Sequence, residues 1–441
     1  MDRMTAPRAW RFPAARTFLL DNGMRVKLVD MPGRFVASVA VVVGLPTAVE
    51  TPRTEGVVGA YSAMMLADAP HAKAGPVSDV AKAGGMITTK CGHRGPAVLA
   101  DCPVLELPRL FEALAAMLLR FEPTARSFDA HRRLVAAELA VESDDPAGLA
   151  NKLLHESVLD PASRYSRPMS GTERSWQHLS LADVVELYET QVGPRQMTLI
   201  VVGDLSMLDA AKAVADAFGG YPGRDRPPVA DRPPTPGGGP RLLCRSGRGG
   251  PQTRLMLGCF ATDRLDPRWP SARAAAELLG AGPNSLLNAE LRGRMALTYG
   301  VEARFLPFFS GGMFVVSGAV DAEHSEQAAA AILRVLHEVR HGAVDPDLFE
   351  RVRRRMISTA AEIYESTLAV AQQYTELVSC GIDESYIDDH LDRLGSLDAA
   401  RMADDFRGLV DPGRLHTVAV GRFDPRAPAL AGSGLDGLGC A

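Results

Sequence analysis

The stretch Ser180–Leu205, SLADVVELYETQVGPRQMTLIVVGDL, decides the reading of the chain. Ser180 opens a capped helix, Gly193-Pro194 makes a turn, and the run after it is a strand that closes on Gly203. The same outline returns in SLDAARMADDFRGLVDPGRLHTVAVGRF, Ser396–Phe423, whose strand closes on Gly421. Upstream, RVKLVDMPGRFVASVAVVVG (Arg25–Gly44) holds two β-rich runs around a Pro-Gly turn, and PRLLCRSGRGGPQTRLMLG (Pro240–Gly258) repeats it. Gly44 and Gly258 are 214 residues apart, and Gly203 and Gly421 are 218 apart, so one unit of domain length occurs twice.

Between the copies lies Tyr221–Pro240, too rich in Pro and Gly to pack as a regular element, which reads as a linker. The expected organisation is a disordered tail (1–17), a first domain (18–220), the linker (221–240), a second domain (241–425) and a flexible tail (426–441). Helical runs are predicted at Val57–Asp68, Leu105–Phe121, Phe128–Glu142, Leu149–Val158, Ala272–Leu279, Ser325–His341 and Leu348–Cys380. With strands before, between and after these helices, each copy is α+β, with helices against a largely antiparallel sheet.

With 441 residues, 46% of them hydrophobic, the chain is long enough for two cored domains. A net charge of −5 with scattered Arg, Asp and Glu leaves no basic footprint for nucleic acid and no polybasic membrane anchor. The six cysteines, at 91, 102, 244, 259, 380 and 440, form no C-x-x-C pair, and reduced thiols in a cytoplasm are the expectation. The N-terminus lacks an apolar signal-peptide core; a disordered tail is expected, with a transit peptide the alternative. Arg far outnumbers Lys, which hints at a GC-rich bacterial genome.

A second stretch carries candidate chemistry: Leu279–Val301, LGAGPNSLLNAELRGRMALTYGV. Gly280 and Gly282 break a helical run, Asn284 or Ser285 caps the next helix, and Leu286, Leu287 and Leu291 form its apolar stripe. Arg292 stands on that helix and Tyr299 at the start of a strand. A guanidinium and a phenol aimed at one point suit a peptide carbonyl, or the oxyanion it becomes under attack. The plainer alternative is a helix-surface cation and a half-buried strand phenol.

This stretch resembles the signature in the C-terminal half of the M16 metallopeptidases, the inverzincin clan that includes pitrilysin, insulin-degrading enzyme, mitochondrial processing peptidase and small bacterial heterodimers. The resemblance runs from about Phe18 to about Phe423. It implies two duplicated halves facing each other as a clamshell, with Arg292 and Tyr299 binding substrate. It also implies H-x-x-E-H on a helix of the first half, two imidazoles holding zinc and the Glu serving as base, with a distal Glu as third protein ligand. The matching segment is GVVGAYSAMM from Gly56, which puts Gly59 and Ala63 at the ligand positions, Ser62 at the base and Glu138 at the distal ligand. Only Glu138 keeps its chemistry, and one carboxylate does not hold a zinc; it reads as a relic or a helix-surface charge. Where the family's substrate-accepting edge strand begins Gly-Gly-x-x-Asn-Ala, this chain has Gly84-Gly85-Met86-Ile87-Thr88-Thr89, without the Asn.

Two other groupings invite a metal reading. Cys91, His93 and His71 share no ligand spacing. His337-Glu338-Val339-Arg340-His341 spells H-E-x-x-H, but the apolar face of that helix is Ile332, Val335, Leu336 and Val339, and Gly342 ends it, so both imidazoles fall outside the packed face. The resemblance therefore implies a non-catalytic, substrate-binding subunit of a heterodimeric M16B peptidase in the cytoplasm. It binds no metal itself, contributes Arg292 and Tyr299 to a site whose zinc sits on a partner chain, and acts on short or unfolded peptides, leader or precursor peptides by analogy. The alternatives are a silent scaffold or peptide-binding subunit of a larger complex, and a metalloenzyme with a displaced site at His337 and His341.

Overall fold

Runs of Val, Leu, Ile and Ala that alternate or are apolar throughout form strands because a pleated surface accommodates branched side chains on both faces. The computed structural model describes residues 10–68, 76–223, 231–246 and 250–435. Eleven strands lie among them: β1 (Arg16–Leu19), β2 (Arg25–Asp30), β3 (Val36–Val43), β4 (Met86–Gly92), β5 (Gly95–Pro103), β6 (Met197–Gly203), β7 (Leu242–Arg245), β8 (Gln252–Ala261), β9 (Thr298–Pro307), β10 (Gly312–Asp321) and β11 (His416–Val420). They form a six-stranded sheet ordered β1-β2-β6-β3-β5-β4 and a five-stranded sheet ordered β7-β11-β8-β10-β9. Leaving β1 aside, the two orders are the same path taken twice. In each, one pair is parallel, β2 with β6 and β11 with β7, and the other pairs are antiparallel. The expected α+β class holds, with mixed sheets. β6 sits between β2 and β3 and all seven of its residues are buried, as a central strand covered on both faces requires.

Helices α1 (Val57–Ala67), α2 (Ala125–Asp144), α3 (Pro146–Val158), α4 (Trp269–Gly280), α5 (Ser325–Arg340), α6 (Pro346–Ile363) and α7 (Thr367–Cys380) are among those covering the sheets. The long run expected at Leu348–Cys380 is two helices. Ser366 accepts a hydrogen bond from the Ala369 N–H and starts α7 as an N-cap, a local signal that the continuous periodicity conceals.

The compact units are not the contiguous halves 18–220 and 241–425. One unit holds the described residues through Ala136, then Met169–Asp231 and Ser358–Asp389; the other holds Ala137–Pro168, Arg232–Ile357 and the described residues from His390. The first half thus lends α3 to the second sheet, where Ala150, Leu154 and Val158 pack on Leu243, Met256, Met313, Val315, Val418 and Val420. Gly258 of β8 allows this approach, since a Cβ there would lie 3.1 Å from a Leu154 methyl. In return α7 packs on β3 and β6 of the first sheet. Periodicity marks an apolar face but does not say which sheet it will cover.

The expected tails and linker are also shorter than composition suggests. Phe12 is buried beside Tyr374, whose hydroxyl donates to the Pro13 carbonyl at 2.7 Å, and β1 begins at Arg16. Leu430 and Leu435 are buried. Within the linker, Pro236 pairs with Leu159 and the Gly237 N–H donates to the Val158 carbonyl at 2.8 Å. Residues 1–9, 224–230 and 436–441 of these segments, with His71 and Cys440, lie outside the described residues. Cys91, Cys102, Cys259 and Cys380 are not disulfide-bonded, whereas Cys244 is, so the expectation of uniformly reduced cysteines fails there.

Candidate functional site

The Arg292/Tyr299 stretch is built against β9, one of the two edge strands of the five-stranded sheet. Helix α4 ends at Gly280, where any Cβ would collide with the backbone of Ala303 in β9, so only glycine lets the helix end sit this close. The chain turns through Gly282 and enters a three-residue α turn, Leu286–Asn288, followed by a π-helix, Ala289–Arg294. The regular helix expected from periodicity is therefore a widened one, a form that concentrates at functional sites. Leu287 and Leu291 are buried, anchoring it. Ser285 opens the turn without capping it; its hydroxyl instead donates to the Gly282 carbonyl at 2.9 Å.

Asn288 is the residue that sequence reasoning missed. Its side chain is buried, its Oδ1 accepts from the Val301 N–H at 2.9 Å, and its Nδ2 donates to the Val301 carbonyl at 2.8 Å. The amide thus pairs with one residue of β9 as a neighbouring strand would, and Nδ2 also reaches Ser285 Oγ (2.9 Å) and the Gly282 carbonyl (3.1 Å). This clamp lies four residues before Arg292 and two after Tyr299. Between the π-helix and β9 stands Ala296 at φ 56°, among the described residues the one non-glycine with positive φ. Backbone strain at such a position accompanies geometry imposed by its surroundings.

Arg292 is exposed on the π-helix, and Tyr299 is 89% exposed on β9. Neither makes a hydrogen bond or ion pair within the described residues. Their neighbours do: Glu290 is held by both Arg294 and Arg334, and the hydrogen bond from Arg294 leads the causes that keep its carboxyl below the usual range. The free guanidinium and phenol belong to two segments that Asn288 ties together, able to donate to an incoming oxygen.

The family-derived metal positions lie elsewhere. Gly59, Ser62 and Ala63 are on α1, whose first turn is capped by Glu50, Oε1 accepting from the Gly56 and Val58 N–H groups at 3.1 Å each. Gly59 and Ala63 carry no donor atom, and the Ser62 hydroxyl donates to the Lys90 carbonyl of β4 at 3.4 Å, so this trio does not fit a zinc ion. Glu138 is exposed on α2 and, among the described residues, has no hydrogen bond or ion pair. His93 Nδ1 lies 3.1 Å from Thr47 Oγ1, and Cys91 is within β4, an edge strand. On α5, Ile332, Val335, Leu336 and Val339 are buried while His337 and His341 are exposed, their rings 4.0 Å apart. Glu338 is engaged by Arg334 at 2.8 Å, and His341 Nδ1 bonds the His337 carbonyl at 2.8 Å. Among the described residues no three His, Cys, Asp or Glu side chains are grouped so as to hold a metal ion.

The α+β fold has counterparts among known proteins. A family model described as the peptidase M16 inactive domain matches residues 178–356. An uncharacterized zinc protease of Mycobacterium tuberculosis is 26% identical over 336 residues, 75% of this chain and 76% of that protein. Among solved structures, a peptidase M16 inactive domain from Pseudomonas fluorescens superposes with a TM-score of 0.84 at 18% identity, covering 93% of this chain and 98% of that one. A protease from Helicobacter pylori gives 0.85 at 17% identity over 93% and 100%. These structures share the fold. Among the described residues no helix is long and apolar enough to cross a membrane.

Proposed function

We propose that this chain is the non-catalytic, substrate-binding subunit of a heterodimeric M16B-type zinc peptidase that cleaves short or unfolded peptides in the cytoplasm. The observation that carries this reading is the pair Arg292 and Tyr299, exposed and, among the described residues, unpartnered, on segments locked together by Asn288. Arg294 is held by Glu290, whereas Arg292 keeps its five N–H donors for a substrate carbonyl. Tyr299 adds one hydroxyl donor. Gly59, Ser62 and Ala63 stand where the family's metal ligands and base would stand, so the hydrolytic metal belongs to a partner chain carrying H-x-x-E-H. This chain's share of the work is to hold the peptide and donate hydrogen bonds to the carbonyl as negative charge gathers there.

The test is elemental analysis and peptide cleavage on the chain alone and with an H-x-x-E-H chain. Alone it should hold no stoichiometric zinc and cleave nothing, and cleavage should appear on pairing. One zinc per isolated chain, lost in His337→Ala, would overturn the reading in favour of a site on α5.

A further inference from the structure

We propose that Thr298 is a positioning residue for Tyr299: its hydroxyl holds a β-bulge that turns the phenol off the packed face of the five-stranded sheet. The inference rests on the role given to Tyr299 above. Val301, Ala303 and Phe305 of β9 are buried in one row, opposite Gly318, Val316 and Phe314 of β10. Side chains two apart on a strand share a face, so alternation alone would put residue 299 in that row, opposite Val320. The place goes to Thr298 instead, because Val320 pairs with Thr298 and the register shifts between Gly318 and Val320. Two residues of β9, Tyr299 and Gly300, thus face the single residue Ala319, and Tyr299 stands 89% exposed where the row would have buried it.

An extra residue disrupts the ladder locally, and the Thr298 side chain takes up the groups this leaves. Its Oγ1 accepts from the Gly300 N–H at 3.1 Å and donates its one proton to the Ala319 carbonyl at 2.6 Å, the Gly300 carbonyl being the more distant acceptor at 3.1 Å. A hydroxyl on Cβ can accept along its own strand and donate across to the next at once. On either side the chain is secured: Asn288 holds Val301, and the Asp321 N–H donates to the Leu297 carbonyl at 2.9 Å. Glycine conformation does not enforce the bulge. Gly300 is not among the glycines at positive φ, and a Cβ there would meet only Asn288 Oδ1, at 3.8 Å.

The hydroxyl is therefore what fixes the bulge. Valine has the shape of threonine without its donor and acceptor, so Thr298→Val frees the Gly300 N–H and the Ala319 carbonyl. β9 can then slip toward plain alternation, which draws Tyr299 in toward the packed row. Thr298→Ser keeps the hydroxyl and loses only a methyl group.

The experiment is fluorine NMR on the full chain carrying fluorotyrosine, with Tyr299→Phe identifying the 299 signal among those of the eight tyrosines. Thr298→Val should move that signal and leave the others in place, and Thr298→Ser should keep it at the wild-type position. In the chain paired with an H-x-x-E-H partner, Thr298→Val should lower kcat on the order of tenfold with little change in KM, a part of what losing the phenol donor itself costs, and Thr298→Ser should recover it. In the Tyr299→Phe background Thr298→Val should cost less than about twofold, since the group it positions is gone. A 299 signal unmoved by Thr298→Val, a collapse of all the signals together, a serine variant that behaves as valine does, or an undiminished loss in the Tyr299→Phe background would each overturn the assignment. Full activity of Tyr299→Phe would instead refute the proposed function, while the fluorine signals still decide what Thr298 holds.

Discussion

Asn288 shows how a buried amide sets the position of two exposed side chains. Its two hydrogen bonds to Val301 replace a missing strand partner, and removing them strands a backbone N–H and C=O in a buried place. Asn288→Leu should lower stability by about 1–3 kcal/mol in urea unfolding and release the Val301 amide to hydrogen exchange. Arg292 and Tyr299 were singled out in the sequence because a cation and a phenol stand at a spacing that resembles a family signature. Asn288 was not, since its role depends on a contact thirteen residues away that any of several polar residues in the turn could have made. The π-helix was equally hidden, as nothing in AELRGR distinguishes i→i+5 bonding from the ordinary kind. A second residue-scale effect concerns His390, which burial pushes from its ordinary 6.5 down to about 4. Because the folded form binds its proton less readily than the unfolded chain, the native state is favoured fully above pH 6.5 and loses that advantage as pH falls toward 4. The loss amounts to about 3 kcal/mol. Urea midpoints measured across this window should fall with acidification, and His390→Leu should flatten that slope.

Among the elements, most helices and strands were legible from period and punctuation, because apolar spacing is a local property. What each helix covers is not local. Leu154 on α3 looks from sequence like core of the first half, yet it is fully buried on the second sheet. Leu154→Ala should cost about 2–5 kcal/mol, and the lost hydrogen-exchange protection should appear in β8, β10 and β11 while β3, β5 and β6 stay protected. Protection lost instead from the first sheet would contradict the packing of α3. The division of Leu348–Cys380 into α6 and α7 has the same lesson at smaller scale: one serine hydroxyl outweighs a continuous apolar stripe.

For the molecule as a whole, the repeated offsets of 214 and 218 residues announced a duplication, and the shared strand order of the two sheets realises it. The exchange of α3 and α7 between the compact units was beyond the reach of those offsets, since a repeat in sequence says nothing of which copy a segment packs in. In the proposed function this chain supplies donors to a reaction it does not complete alone. The most direct test is steady-state peptide cleavage by this chain reconstituted with an H-x-x-E-H partner, with assembly followed by size exclusion. Tyr299→Phe, which removes one hydroxyl, should assemble normally and lower kcat on the order of 10²–10³. Arg292→Lys, which keeps the charge but loses the planar fork, should also assemble and impair turnover, raising KM if the guanidinium holds ground-state peptide. Pairs that assemble and cleave at the wild-type rate with both variants would show Arg292 and Tyr299 to be ordinary surface residues and would contradict the account.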